Sequence, residues 1–201
     1  MLRALVPQRP LSPSEALRIA ELQANRLLEH FDIHTAAVPE EIVTELPRIR
    51  VVAELGLPVS GAVHWNGRYW IIAINGDEHP LRQRFSLMHE FKHVLDHTTK
   101  HWLYRDRPFQ TASGQAERTA DYFAACLLMP KRTVKRLWYE GPQSVANLAH
   151  QMRVSPAAVR YRLNQLGLSD PPSRCTWRVS RFSGSARATA SDTVAARGVR
   201  Q

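Results

Sequence analysis

The run Arg84-Phe85-Ser86-Leu87-Met88-His89-Glu90-Phe91-Lys92-His93 contains H-E-x-x-H, and that spacing constrains its surroundings more than any other stretch of the chain. Residues four apart on a helix project from one face, one turn above the other. His89 and His93 can therefore offer ring nitrogens to a single metal ion. Glu90 lies beside them, a carboxylate able to take a proton from a water on that ion. This pattern implies the core of a zinc hydrolase. Two merely structural histidines are the plain alternative, but the context favours a helix with a polar side. Pro80 reads as a first-turn proline, and Phe85, Met88, Phe91 and Leu95 recur at helical spacing. The His pair falls off that apolar side, next to Ser86 and Glu90.

An ion held this way needs a third protein ligand. His97 continues the i, i+4, i+8 series, but a helix turns about 40° further with each step of four. A straight helix cannot wrap three such side chains around one tetrahedral ion. The pattern with a third His six residues after the second needs an intervening Gly, and it is absent, since position 96 is Asp and position 99 is Thr. His101, in an expected loop, stays open. The better candidate lies in residues 113–130, which read as a second helix with Ser113 at the N-cap and Pro130 ending it. Glu117 and Asp121 share a face there. Ala120, Phe123, Ala124, Leu127 and Leu128 form an apolar stripe whose small residues let this helix pack close to the first. Glu117 can then reach the metal, and Asp121 can accept the free ring N–H of a ligand histidine, fixing its tautomer.

With both motifs in view, the chain resembles the ImmA/IrrE family of zinc endopeptidases, a thermolysin-like group with Glu as third ligand. Three stretches carry the likeness. The first is R-x-R-F-S-L-M-H-E-F-K-H at 82–93, where family members resemble R-x-R-F-T-L-A-H-E-L-G-H. The second is E-R-T-A-D-Y-F-A-A-C-L-L-M-P at 117–130. The third is the hairpin ending in Ile72-Ala73-Ile74-Asn75. Together they span roughly residues 10–168. The resemblance implies a zincin-like α+β fold, Zn2+ held by His89, His93 and Glu117, Glu90 as catalytic base, and Asp121 behind a ligand histidine. Lys92 departs from the pattern, because the family usually has Gly there. It adds bulk and charge beside the site but removes no ligand.

Composition fits an intracellular globular protein. At 201 residues and 44% hydrophobic, the chain can bury one good core. The start, Met1-Leu2-Arg3-Ala4-Leu5-Val6-Pro7, has no apolar run of signal-peptide length, and nothing later reads as a membrane span. Cys126 lies in an apolar helix and Cys175 in a polar tail, so no structural disulfide is expected and a reducing, cytoplasmic setting fits. The net charge is +9, and more than half of it comes from residues 171–201, with six Arg against one Asp. That Ser-, Ala- and Arg-rich stretch reads as disordered, a solvated tail by default and a weaker candidate for nucleic-acid contact.

The organisation expected is an N-terminal extension over 1–11, a zinc metallopeptidase domain over 12–168, and a basic tail over 169–201. Ser12-Pro13-Ser14-Glu15 resembles a capping box opening a helix to about His30. A shorter helix is expected near 39–46, then a strand over 49–53. Residues 61–65 and 68–75 flank Asn66-Gly67, a two-residue turn, so a small antiparallel sheet beside the metal helix follows. Its free edge could hold an extended peptide by backbone pairing. Residues 144–153 and 156–166 read as two helices joined at Val154-Ser155, with Gly167 as the stop. This helix-turn-helix-like pair over 144–168 would present Arg160, Arg162 and Asn164, although packing or partner docking is favoured over DNA reading.

By the same resemblance, the implied activity is regulatory: a bacterial enzyme cutting a helix-turn-helix repressor, with Glu90 assisting attack of a zinc-bound water on a peptide bond. A second donor to the developing negative charge is open among Tyr104, His101, Tyr161 and His64. The competing class is a non-catalytic, zinc-stabilised regulatory module that binds DNA or a protein partner. In that case His97 or His101 would complete a closed four-ligand site.

Overall fold

The computed structural model describes residues 1–168, so the expected basic tail lies outside the described residues. After a 3-10 turn at Leu2–Leu5 come α1 (Pro13–His30), α2 (Glu41–Thr44), β1 (Ile49–Glu54), β2 (Gly61–Trp65), β3 (Trp70–Asn75) and α3 (Pro80–Asp96). Then follow α4 (Lys100–Leu103), α5 (Ala112–Leu128), α6 (Lys131–Glu140), α7 (Val145–Met152) and α8 (Pro156–Gln165). The class is α+β.

Local chemistry starts the long helices. The Ser12 hydroxyl accepts from the Glu15 amide at 3.3 Å, and the Glu15 carboxylate accepts from the Ser12 amide at 2.8 Å, with Pro13 at the first position of α1. On α3, Pro80 takes the first position and His79 Nδ1 accepts from the Leu81 amide at 3.1 Å. The cap of α5 is Thr111 rather than Ser113. Thr111 has the extended backbone of an N-cap and its hydroxyl accepts from the Gly114 amide at 3.0 Å, which leaves Ser113 inside the first turn.

The sheet is mixed, correcting the antiparallel expectation. Its order is β1-β3-β2, with β2 antiparallel to β3 and β1 parallel to β3. The chain reverses twice, before β2 and before β3, so the first and third strands run the same way. Residues 55–60 carry β2 past the neighbouring position, leaving a slot that β3 fills. The β2–β3 connection is also longer than two residues. The Asn66 side chain accepts from the amides of Arg68 and Tyr69 at 3.0 and 2.8 Å, which removes both from the ladder. Ile49, Val51, Ile72 and Ile74 share the face that packs with Leu87, Met88 and Phe91 of α3.

Helix α5 lies between α1 and α3 and packs along both. Ala16, Ala20 and Ala24 make a buried row at steps of four on α1, and Ala116, Ala120 and Ala124 make another on α5. Rows of small residues at that spacing let helix backbones approach closely. Residues 1–11, set before the domain in the sequence, pack against it. Arg3 donates to the carbonyls of Val94 and Leu95 at 2.9 and 3.2 Å, capping the end of α3, and Gln23 donates to the Leu2 carbonyl at 3.1 Å.

Two charged residues lie far deeper than their sequence suggests. Arg162 is buried rather than presented on an outer face. Its Nε donates to the Met129 carbonyl at 3.1 Å and its guanidinium lies over the Tyr122 ring, tying α8 to the end of α5. Arg160 and Asn164 are exposed. Lys92 turns into the interior. Its ammonium pairs with Asp96 at 2.5 Å, and Asp96 also accepts from the Tyr104 hydroxyl at 2.6 Å. Burial lowers the Lys92 pKa against the pull of Asp96. Removing one partner of such a pair strands the other charge. Asp96→Ala should therefore lower stability by about 3–5 kcal/mol in chemical denaturation, and Lys92→Met combined with Asp96→Leu should recover much of the loss. A single variant as stable as the wild type would mean the pair contributes nothing.

Candidate metal centre

The close approach of α3 and α5 brings four of the motif residues together. His89 Nε2 and His93 Nε2 are 3.1 Å apart. Glu117 Oε2 is 3.2 Å from His89 Nε2, and Glu117 Oε1 is 3.4 Å from His93 Nε2. Donors about 2.0–2.1 Å from a tetrahedral ion stand roughly 3.3–3.4 Å from one another, so this donor set fits one zinc-sized ion. Behind it, His89 Nδ1 is 2.9 Å from Asp121 Oδ1. With the proton on Nδ1 and donated to Asp121, the Nε2 lone pair is directed into the site. Among the described residues these three donors, His89, His93 and Glu117, are the group spaced to share an ion.

Glu90 lines a cavity of about 380 Å³ together with Gly61, Val63, Trp70, His93, His97, Lys100 and Glu117. Strand β2 is therefore one wall of the site. An added Cβ at Gly61 would sit 2.9 Å from Glu90 Cγ, so only glycine lets the strand pass so close to that carboxylate. The motif reading missed Gly61, Trp70 and Lys100. Gly61 carried a faint signal, being a glycine at the start of an expected strand beside the metal helix; nothing in the sequence pointed to Lys100.

The electrostatics are those of a tight charge cluster. Burial pulls the His89 pKa down, but the hydrogen bond and charge of Asp121, with Glu90 and Glu117, outweigh it and hold the value up. His93 shifts down, through burial and the neighbouring His89, despite Glu117. Glu90 shifts up, mainly through burial, with Glu117 adding to the effect and His89 and Lys100 opposing it.

The other candidate residues separate by position. His97 stacks edge-on against Trp70, with ring centroids 4.6 Å apart. His101 is exposed and outside the cavity wall. Tyr104 is buried and bonded to Asp96, and its pKa is pushed up by burial. His64 pairs with Ile71 on the sheet face opposite to that of Gly61 and Val63. Tyr161 lines a neighbouring groove of about 300 Å³ with Phe85, Asp121, Ala125, Met129 and Ala158. Cys126 is buried on α5, and burial pushes its thiol up to about 11.

Over residues 45–164 the sequence matches the peptidase M78 family model, described as the IrrE N-terminal-like domain. That is more than half of the chain, and the chain belongs to the ImmA/IrrE family. Comparison with curated proteins gives no match. Among solved structures the fold is similar to that of a Mycobacterium tuberculosis transcriptional regulator, with a TM-score of 0.56 and 17% identity. The likeness covers 77% of this chain and 57% of that one, so this chain spans little more than half the regulator's length.

The Asp121–His89 contact has a measurable consequence in chelator-treated protein. A histidine whose folded pKa is raised contributes stability that is fully present below its unfolded value, about 6.5, and lost as pH rises through the folded value. Asp121→Asn removes a main cause of the rise. The stability gap between wild type and variant should be widest in mild acid and should narrow as pH increases, which denaturation midpoints across a pH series will check. A gap that grows with pH would contradict the assignment.

Proposed function

We propose that this chain is a zinc-dependent endopeptidase with a regulatory role, and that its substrate is a helix-turn-helix repressor. The observation that carries the enzymatic part is the donor triangle of His89, His93 and Glu117 at tetrahedral spacing, with Glu90 in the same cavity. When bound there, the ion would acidify a water and polarise the scissile carbonyl. Glu90 takes the water's proton as it attacks and returns it to the leaving amine. Asp121 holds the His89 ring in its ligand tautomer. The edge of β2 pairs with an extended peptide, and the apolar groove beside Asp121 accepts a large apolar side chain of the substrate.

The domain doing this work is taken as residues 12–168, and α7 with α8 as a packing or partner-docking pair. The buried Arg162 supports that choice over base reading. The competing module would need a fourth protein ligand, and the positions of His97 and His101 lend it no support. The repressor substrate rests on the family resemblance, and the regulator among the similar solved structures is in keeping with it. No helix among the described residues is long and apolar enough to cross a membrane. We take the setting to be the bacterial cytoplasm.

Metal analysis of dialysed protein tests the site. Wild type should hold one zinc per chain and Glu117→Ala should lose most of it, whereas Glu90→Gln should keep zinc and lose cleavage of a repressor encoded nearby. A wild type that neither holds nor takes up zinc would sink the proposal. Gly61→Ala offers a finer probe. By pushing Glu90 aside it should reduce turnover by roughly 10²-fold with zinc content unchanged, and undiminished turnover would remove Glu90's position from the mechanism.

A further inference from the structure

We propose that the outer face of α6 is a docking surface for the phosphate backbone of duplex DNA. With Lys131 as origin and about 100° per residue, Lys135, Tyr139, Arg132 and Arg136 fall near 40°, 80°, 100° and 140°. Leu137, Val134 and Trp138 occupy the opposite arc, with Val134 and Trp138 buried. All four cations are exposed, and Tyr139 at their centre is 67% exposed. Among the described residues none of the four forms an ion pair. Glu140, the one acid of the helix, falls at the rim of this face, near 180°. Beyond the adjoining cleft, the acids of α1 already have partners. Glu29 pairs with Arg26 at 3.2 Å, and Glu21 accepts from the Tyr122 hydroxyl at 3.3 Å, with Arg162 at 3.8 Å.

A face this basic, held by a helix whose other side is core, has no charge partner within the described fold. Residues four apart rise about 6 Å along a helix, so Lys131 with Lys135 and Arg132 with Arg136 form two parallel pairs. That repeat is comparable with the step between neighbouring phosphates on one strand. Tyr139 adds a hydroxyl donor of the kind that phosphate oxygens accept. A membrane surface would call for apolar anchors on the same face, and Tyr139 is the one aromatic there. Such contacts position a protein on DNA without reading its sequence. They therefore need no base-reading helix, consistent with the buried Arg162 of α8. The inference is independent of the metal site.

The test uses full-length, metal-free protein and a short fluorescent DNA duplex, with anisotropy titrations over a range of salt. The variant carries Lys131→Ala, Arg132→Ala, Lys135→Ala and Arg136→Ala together. Residues 169–201 are present in both proteins, so any binding they contribute is common to both. The slope of log K against log salt should be shallower in the variant by about 3–4, with affinity at fixed salt reduced roughly tenfold or more. Alanine favours helix, circular dichroism will verify that α6 persists, and Lys135→Gln alone should change the slope by about one. Equal slopes in wild type and variant would overturn the proposal. So would unchanged DNA binding with loss of polyglutamate binding, an outcome that would assign the face to an acidic protein.

Discussion

The distance at which α5 can lie from its neighbours decides whether a metal centre exists. His89 and His93 come from α3, Glu117 and Asp121 from α5, and carboxylate side chains are too short to bridge a loosely packed pair of helices. The contacts of 2.9–3.4 Å between them require close backbones. Small residues make this possible. Ala116, Ala120 and Ala124 form a buried row on α5 and Ala16, Ala20 and Ala24 one on α1, while Phe91 of α3 meets Phe123 of α5 with ring centroids 6.2 Å apart. A larger side chain in the alanine rows would force the helices apart, and the acids would move with them.

Buried polar ties then hold this arrangement at its ends. Arg3 closes the C-terminal carbonyls of α3, and Arg162 does the same for Met129 at the end of α5. Arg84 reaches from α3 to the Val38 carbonyl and to Glu40 at 3.2 Å. Lys92, Asp96 and Tyr104 tie the last turn of α3 to the segment after α4, which brings His97 and Lys100 to the cavity wall. Each contact satisfies a group that burial would otherwise penalise, so each specifies one arrangement more than it adds stability.

The parts of this fold legible in sequence are those set by neighbouring residues. Ser12 and Glu15 announce a helix start, Pro80 another, and the four-residue spacings of His89 with His93 and Glu117 with Asp121 put each pair on one face, where they stand. What depends on distant partners was not legible. The alternation in β1 marks a strand but does not say that it runs parallel to β3. Asn66-Gly67 marks a turn, yet the Asn66 side chain lengthens it. Arg162 and Lys92 look like surface charges until Met129, Asp96 and Tyr104 are brought to them by the fold. Helix α6 escaped notice because its dense charge hides a narrow apolar stripe of Val134, Leu137 and Trp138.

That overlooked helix bears on the site through its connections. Only Met129 and Pro130 separate α5 from α6, so the helix carrying Glu117 and Asp121 runs almost directly into the basic face. The junction is not free to swing. Arg162 holds the Met129 carbonyl, and Val134 and Trp138 are buried in the same core as Phe123 and Leu127. A polyanion resting on α6 would thus load the element that supplies an acid to the metal and a hydrogen bond to His89. Any coupling between the two would have to pass through α5, because nothing else in the described fold joins both so directly.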